Sequence, residues 1–480
     1  MSRKQLGIIE LKRETQQAIA DYLMSVARKG CDVQKFDPQL KYGGTKLSLS
    51  QQEGYYPNCN LVALQKLGYA VTEILQEKGE REILAGFKAY RELFSPTAPD
   101  GNNAEIPYIQ KIQFLPKELF ADIDPADLIS PNGFRIPDRL NTWEEIKEYS
   151  AKLLVPKLLL AAICAIHNQF PWMDPDMDLN STMHTMRPDP DKHHVNAGYG
   201  GGYIKQHTDG YWNQRSNVPL IIVFLSISNP NREPTAFIPV EAIFRIPSQN
   251  SPIYDSWRRV FEDLMPPDRT PEQFVKWVVD EAVKPQFSFV MGVLGGDAKR
   301  GVYETPLLEK DSNYGGYLFR AKSTFRSSNA EAAPAVEFIN RAIAFLASQQ
   351  VPDTYLEVSL SPGEVYLALN GAGLAIDSNP KYETDGYAYP VKGAATIHGR
   401  SNLRPVDGKI DRTLARGNSL LGSERTFYAP DDGADLLLEK LQQCSEEPQL
   451  VSLDRNSFFP DKGVVCRLLQ EGIRGNGLKR

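Results

Sequence analysis

Over residues 11–29 and again over 61–94, apolar positions return at steps of three and four among Glu, Lys, Gln and Ala. That period predicts amphipathic helices, because residues three and four apart share one face of a 3.6-residue turn. From residue 95 to 137 the period is lost and Pro96, Pro99, Pro107, Pro116, Pro125, Pro131 and Pro137 take over. Fixed φ angles and missing amide donors at that density predict an ordered but irregular connection, with a boundary near residue 140. Residues 153–166 are almost wholly apolar, yet Pro156 and Lys157 interrupt them. Such a segment is too short and too broken to cross a bilayer, and predicts a buried helix ending near His167.

Beyond His167 the texture changes to short runs at 181–186, 202–206, 220–228 and 237–244, rich in β-branched and aromatic residues, which predict strands. Helical spacing returns over 252–284 and 331–348, as in Trp257, Val260, Phe261 and Leu264, or Val336, Ile339, Ile343 and Leu346. Residues 355–360, 365–369 and 394–397 are strand-like again. The chain therefore reads as an α+β fold. A helical N-terminal region with its Pro-rich connection fills 1–140, a β-rich core with a helical insertion at about 250–350 fills 141–430, and a helical extension fills 431–480. The glycine-rich stretch 198–202 is not followed by a helical pattern, so it reads as a loop and not as a phosphate cradle.

Composition narrows the partners. With 480 residues, 41% hydrophobic and 24% charged, the chain can bury a sizeable core. A net charge of −6 supplies no basic field for a phosphate backbone, which argues against nucleic acid. Residues 1–13 mix Arg3, Lys4, Glu10, Lys12 and Arg13 with isolated apolar residues, unlike a secretory signal. Cys31, Cys59, Cys164, Cys444 and Cys466 are scattered without a C-x-x-C pair, so neither a disulfide framework nor a zinc knuckle is expected. A reducing, cytoplasmic setting without a membrane partner is the expectation that follows.

There are six histidines, and two stand out. His207 and Asp209 are one residue apart at the end of a strand-like run, and in an extended chain such positions project from the same face. His398, at the end of the apolar run 394–397, supplies a distant second imidazole. Two histidines and a carboxylate on one face of an iron leave three positions open for a chelating co-substrate and dioxygen, the arrangement of non-haem iron oxygenases. His167 follows a buried helix, while His184, His193 and His194 lie in or beside a turn-like segment from Met186 to Pro190, so these four are read as standing outside the metal set. Fourteen residues beyond His398 comes Arg412, whose planar fork can grip a dicarboxylate bidentately where a lysine cannot.

The string His398-Gly399-Arg400, a Pro-containing turn, and then Asp411-Arg412-Thr413-Leu414-Ala415-Arg416 resembles the clavaminate synthase-like branch of the taurine dioxygenase superfamily, which includes hydroxylases of free arginine and other amino acids. The resemblance spans roughly residues 180–246 and 320–420. It implies a double-stranded β-helix, or jelly-roll, core with Fe(II) on His207, Asp209 and His398. It also implies 2-oxoglutarate as co-substrate, its distal carboxylate on Arg412 and on Thr235, which stands 28 residues after His207. With O2 as oxidant, the implied activity is hydroxylation or desaturation of an unactivated carbon with release of succinate and CO2. Its substrate would be an amino acid or a derivative, met by Arg416 and Asn196.

Two departures from that family stand in the chain. Asp209 takes a place where relatives often carry Glu; it coordinates equally well and speaks against halogenation, which needs the position vacant. Between Asn370 and His398 the family's path is short, whereas here 27 residues intervene, which predicts an inserted hairpin or lid carrying Tyr382, Tyr387 and Tyr389. The competing class is a non-catalytic jelly-roll protein binding a small carboxylate or a structural metal; the complete triad and both arginines speak against it.

Overall fold

The computed structural model describes residues 5–31, 61–93, 106–129, 133–167, 169–171, 183–188, 203–210, 218–289, 304–310, 316–322, 325–348, 351, 354–401 and 412–421. Its two larger sheets contain strands β1 (Leu6–Glu10), β2 (Ile109–Gln113), β3 (Gln169–Pro171), β4 (Met183–Met186), β5 (Tyr203–His207), β6 (Ile221–Ser228), β7 (Pro234–Pro239), β8 (Leu356–Ser359), β9 (Glu364–Leu369), β10 (Thr396–Ser401) and β11 (Thr413–Leu421). Strand β6 is buried at every position but its last, so it reads as a continuous apolar run with no alternation, as a strand covered on both faces must. It sits centrally in the first sheet, ordered β1-β2-β9-β6-β11-β3, with β4 also on β11. The second sheet is β8-β7-β10-β5.

The two sheets meet through side chains. Phe237 of β7 packs edge-on to Tyr366 of β9 with ring centroids 5.0 Å apart, and Phe224 of β6 meets His398 of β10 at 6.0 Å. Consecutive strands β5, β6 and β7 alternate between the sheets, as do β8 with β9 and β10 with β11. Side chains facing the gap therefore come from distant parts of the chain.

Helix α4 (Trp143–Ile166) packs against the first sheet, α1 (Arg13–Cys31) and α2 (Leu61–Glu77) pack on α4, and α3 (Arg81–Leu93) packs on α2. The amphipathic period over 61–94 resolves into α2 and α3, broken where Gly79 takes φ +71°, a conformation that costs a glycine nothing. Helix α4 opens on a capping box between Thr142 and Glu145 and runs through Pro156. By length and composition it could cross a membrane. Its apolar stretch is 83% buried inside the fold, however, between α1 and α2 on one side and β11 on the other. Helix α5 (Val240–Ile243) follows β7, and helices α6 (Tyr254–Phe261), α7 (Pro271–Ala282) and α8 (Ala333–Ala347) fall within residues 250–350, with Phe338 packed between Phe261 and Phe274.

Three expectations need correction. The Pro-rich segment is not only connection, because β2 lies within it, paired with β1 on one side and β9 on the other. Pro107 and Pro116 stand outside the strand, so every amide the ladder needs is present. Sheet hydrogen bonds thus cross the boundary expected near residue 140; that boundary separates sequence textures and does not divide the sheet. The run 237–244 is strand only to Pro239 and then turns into α5. The extension 431–480 and the glycine stretch 198–202 lie outside the described residues.

His167 caps α4, with Nδ1 2.7 Å from the Ile163 carbonyl and its ring against Phe87 and Tyr90. Burial lowers its pKa to about 4, helped by Arg91 and opposed by the Ile163 contact. The folded pKa lies below the unfolded one, so the unfolded chain takes the proton more readily. Stability from this group is complete above pH 6.5 and is lost as pH falls towards 4, by about 3 kcal/mol. Urea unfolding of His167→Gln at pH 7 and pH 4 is expected to show a pH dependence smaller by that amount.

Candidate metal centre

Strand β10 carries His398 and Arg400 on one face, two residues apart. Opposite them on β5 stand His207 and Ile204, three residues apart, so β5 holds one extra residue. Strict alternation would turn His207 away from Ile204. The bulge instead brings His207 onto the face that His398 uses, and their rings lie 4.5 Å apart. Gly399 faces the bulge: a Cβ there would lie 2.8 Å from the Ile204 carbonyl oxygen and 3.0 Å from the Gln206 nitrogen. Gly399→Val must push β5 away, and is expected to weaken metal affinity roughly 10- to 100-fold, measured by iron titration, with a lowered melting temperature.

Past β5 the chain is pinned. Thr208 and Ala321 exchange two hydrogen bonds of 3.1 Å. Asn370, at the end of β9, accepts from the Asp209 amide at 2.8 Å and donates to the Asp209 carbonyl at 2.9 Å. The Asp209 carboxylate is thereby aimed at the two imidazoles. Its Oδ1 is 3.2 Å from His207 Nε2 and 3.7 Å from His398 Nε2, while Oδ2 accepts from Arg416 Nη2 at 2.9 Å and Asn418 Nδ2 at 3.2 Å. One oxygen is held from behind and the other faces the histidines.

The electrostatics favour a cation among these three. Burial alone would raise the Asp209 carboxyl; Arg416, His398 and His207 reverse that and hold it well below the usual carboxylate range. Burial lowers His398 well below an ordinary histidine, only partly opposed by Asp209, and it lowers His207 as well. The protein therefore keeps two neutral imidazoles and one carboxylate. His207 Nδ1–H donates to the Lys205 carbonyl at 2.8 Å, which turns the Nε2 lone pair towards Asp209. His398 is 0% exposed, and among the described residues neither ring nitrogen has a hydrogen-bond partner. A buried imidazole left so is costly unless another ligand uses it. One donor atom from each of the three residues falls within 4.8 Å of the others, a set that fits a single divalent ion with bonds of about 2 Å.

Beyond the triad lies a cationic wall. Arg412 donates from Nη2 to Thr235 Oγ1 at 2.7 Å, and the Tyr366 hydroxyl donates to the same oxygen at 3.3 Å. Arg400 is 4% exposed and lies 5.1 Å over the Phe224 ring. Burial drops its pKa to about 10, an indication of how thoroughly it is desolvated. Thr235 is two residues from Phe237, whose Cα pairs with that of His398, so the Arg412–Thr235 pair lies about 7 Å along the strand from the metal level.

The structure thus brings His207, Asp209, His398, Thr235, Arg412 and Arg416 to the gap between the sheets. Asn196, His193 and His194 lie outside the described residues, and His184 falls on β4 with its Cα opposite that of Arg416. The segment before His398 is a hairpin, residues 375–376 pairing with 391–392, as expected. Its tyrosines are engaged elsewhere: Tyr387 and Tyr389 flank Arg245 and Tyr382 bonds to Glu272. Asn370, Asn418, Arg400 and Tyr366 had no assigned role in the sequence. Asn418 could have been found, since it alternates with Arg416 along β11.

Neither a family model nor a curated protein sequence matches the chain. Among solved structures it is similar to an asparagine oxygenase in complex with Fe(II), 2S,3S-3-hydroxyasparagine and succinate, at 13% identity and TM-score 0.44, over 93% of this chain and 98% of that one. It is also similar to the non-heme iron oxygenase OrfP in complex with Fe and alpha-ketoglutaric acid, at 15% identity and TM-score 0.48, over 87% and 95%. OrfP with Fe, succinate and (3S)-hydroxy-L-Arg gives 14% identity and TM-score 0.48, over the same shares. Similarity of this size is distant, and what the gap between the sheets can do is decided by its side chains.

Proposed function

We propose that the protein is an Fe(II)- and 2-oxoglutarate-dependent dioxygenase with a jelly-roll core, hydroxylating or desaturating an unactivated carbon of an amino acid or an amino-acid-derived molecule. The observation that carries this reading is the pairing of two sites. A buried, neutral imidazole without a hydrogen-bond partner among the described residues completes a two-histidine, one-carboxylate set, and an arginine–threonine pair stands about 7 Å farther along the sheet. A zinc hydrolase shares the first feature and has no use for the second. The alternation of β5, β6, β7 and of β8 to β11 between facing sheets is what a double-stranded β-helix requires.

Bound there, iron(II) supplies oxygen activation coupled to oxidative decarboxylation of 2-oxoglutarate to succinate and CO2. His207, Asp209 and His398 would hold the ion and leave its remaining positions towards the gap. Arg412 and Thr235 would grip the co-substrate's far carboxylate, fixing its keto end at the metal level. Asn370 and Asn418 fix the Asp209 carboxylate, and burial of the whole set excludes bulk water.

Arg416 would bind the substrate's carboxylate while bracing Asp209. Among the described residues its Nε has no partner, although Nη2 is committed to Asp209. The test is succinate release with Fe(II), ascorbate and a panel of amino acids; the hydroxylated amino acids in the similar structures make asparagine and arginine the first to try. Arg416→Gln is expected to raise the substrate KM about 100-fold, read at saturating iron so that loosening of Asp209 is compensated. An unchanged KM would remove the amino-acid carboxylate from the account.

A further inference from the structure

The wall behind the triad holds one more cation than the reading above uses. Arg400 is buried with Phe224 beneath its guanidinium, and among the described residues its one polar contact is Nη2 at 3.6 Å from the Met186 sulfur. Among the described residues no carboxylate lies in ion-pair range of it. The strand register sets Arg400 level with Thr235 on β7, the residue to which Arg412 donates. Both guanidinium groups act electrostatically on the same Tyr366 hydroxyl, which itself bonds Thr235. Two desolvated guanidinium groups acting on one hydroxyl repel each other, and an anion placed between them would relieve that repulsion.

Resting on the proposed function, we infer that Arg400 is a second arginine of the co-substrate site, gripping the far carboxylate of 2-oxoglutarate together with Arg412 and Thr235. Its place on β10, two residues from His398 and on the same face, ties this grip to the metal through a rigid strand. A carboxylate between two guanidinium groups can accept from both, and a co-substrate lacking that carboxylate would leave Arg400 without it.

The test is anaerobic titration of the full chain, loaded with Fe(II), by 2-oxoglutarate and by 2-oxobutyrate, a 2-oxo acid without the far carboxylate. The wild type and Arg400→Gln are followed by the visible charge-transfer band of the chelate. Arg400→Gln is expected to weaken 2-oxoglutarate roughly 10- to 100-fold and to leave 2-oxobutyrate within about twofold, with iron affinity unchanged. Equal weakening of both acids, or of neither, overturns the inference. If Arg400→Gln does not fold, Arg400→Lys serves: it keeps the charge and loses the fork, and the same selective loss is expected. Melting temperature without co-substrate gives a separate readout. Removal of a cation that lacks its anion should leave it unchanged or raise it, and a fall of several degrees would mark Arg400 as structural. Failure of the wild type to bind 2-oxoglutarate at all would overturn the proposed function itself, an outcome distinct from every variant result.

Discussion

His398→Ala is expected to abolish iron(II) binding at micromolar metal and to lower succinate release from 2-oxoglutarate by roughly 1,000-fold or more. The reasoning is positional. His398 is fully buried, its two ring nitrogens have no hydrogen-bond partner among the described residues, and its Nε2 faces the one Asp209 oxygen not held by Arg416 and Asn418. Removing an imidazole that only braced the fold would behave differently, costing stability through a cavity while metal binding survived. Comparing iron affinity with melting temperature separates the cases, and the account requires the first to collapse much further than the second. His207→Ala should match it, because the Lys205 carbonyl and the β5 bulge exist to present that side chain.

Arg412→Ala is expected to weaken 2-oxoglutarate about 100-fold, near 3 kcal/mol for a bidentate charged grip, without loss of iron. Arg412 is 3% exposed, and the carboxylate it is proposed to hold would replace water for both its guanidinium and Thr235. Arg412→Lys should recover only part, since a point charge cannot reproduce the fork. Steady-state KM for 2-oxoglutarate, measured at saturating iron, gives the value. Thr235→Val should act in the same direction with a smaller effect, because it removes one neutral hydroxyl.

The triad was legible because His207 and Asp209 lie two positions apart on one strand and His398 ends another, and metal ligands leave few alternatives in a chain with six histidines. The bulge that makes the geometry work was not legible, since an extra residue in β5 has no signature beyond Gly399 opposite it. Amphipathic periods located the helices well. β2 was hidden because five residues between prolines carry too little pattern, and its assignment depends on partners β1 and β9 far away in sequence. Asn370 and Arg400 have the same explanation: each owes its meaning to a neighbour across a sheet. A polar residue ending a strand and an arginine within one look alike in sequence whether they face water or the metal.

The most direct measurement is anaerobic addition of Fe(II) and then 2-oxoglutarate to the purified protein, read as the visible charge-transfer band of a bidentate chelate. The account predicts one equivalent of iron, a band that saturates with 2-oxoglutarate, and loss of both in Asp209→Ala. Stoichiometric iron with no response to 2-oxoglutarate, or a response undiminished in Asp209→Ala, would contradict it.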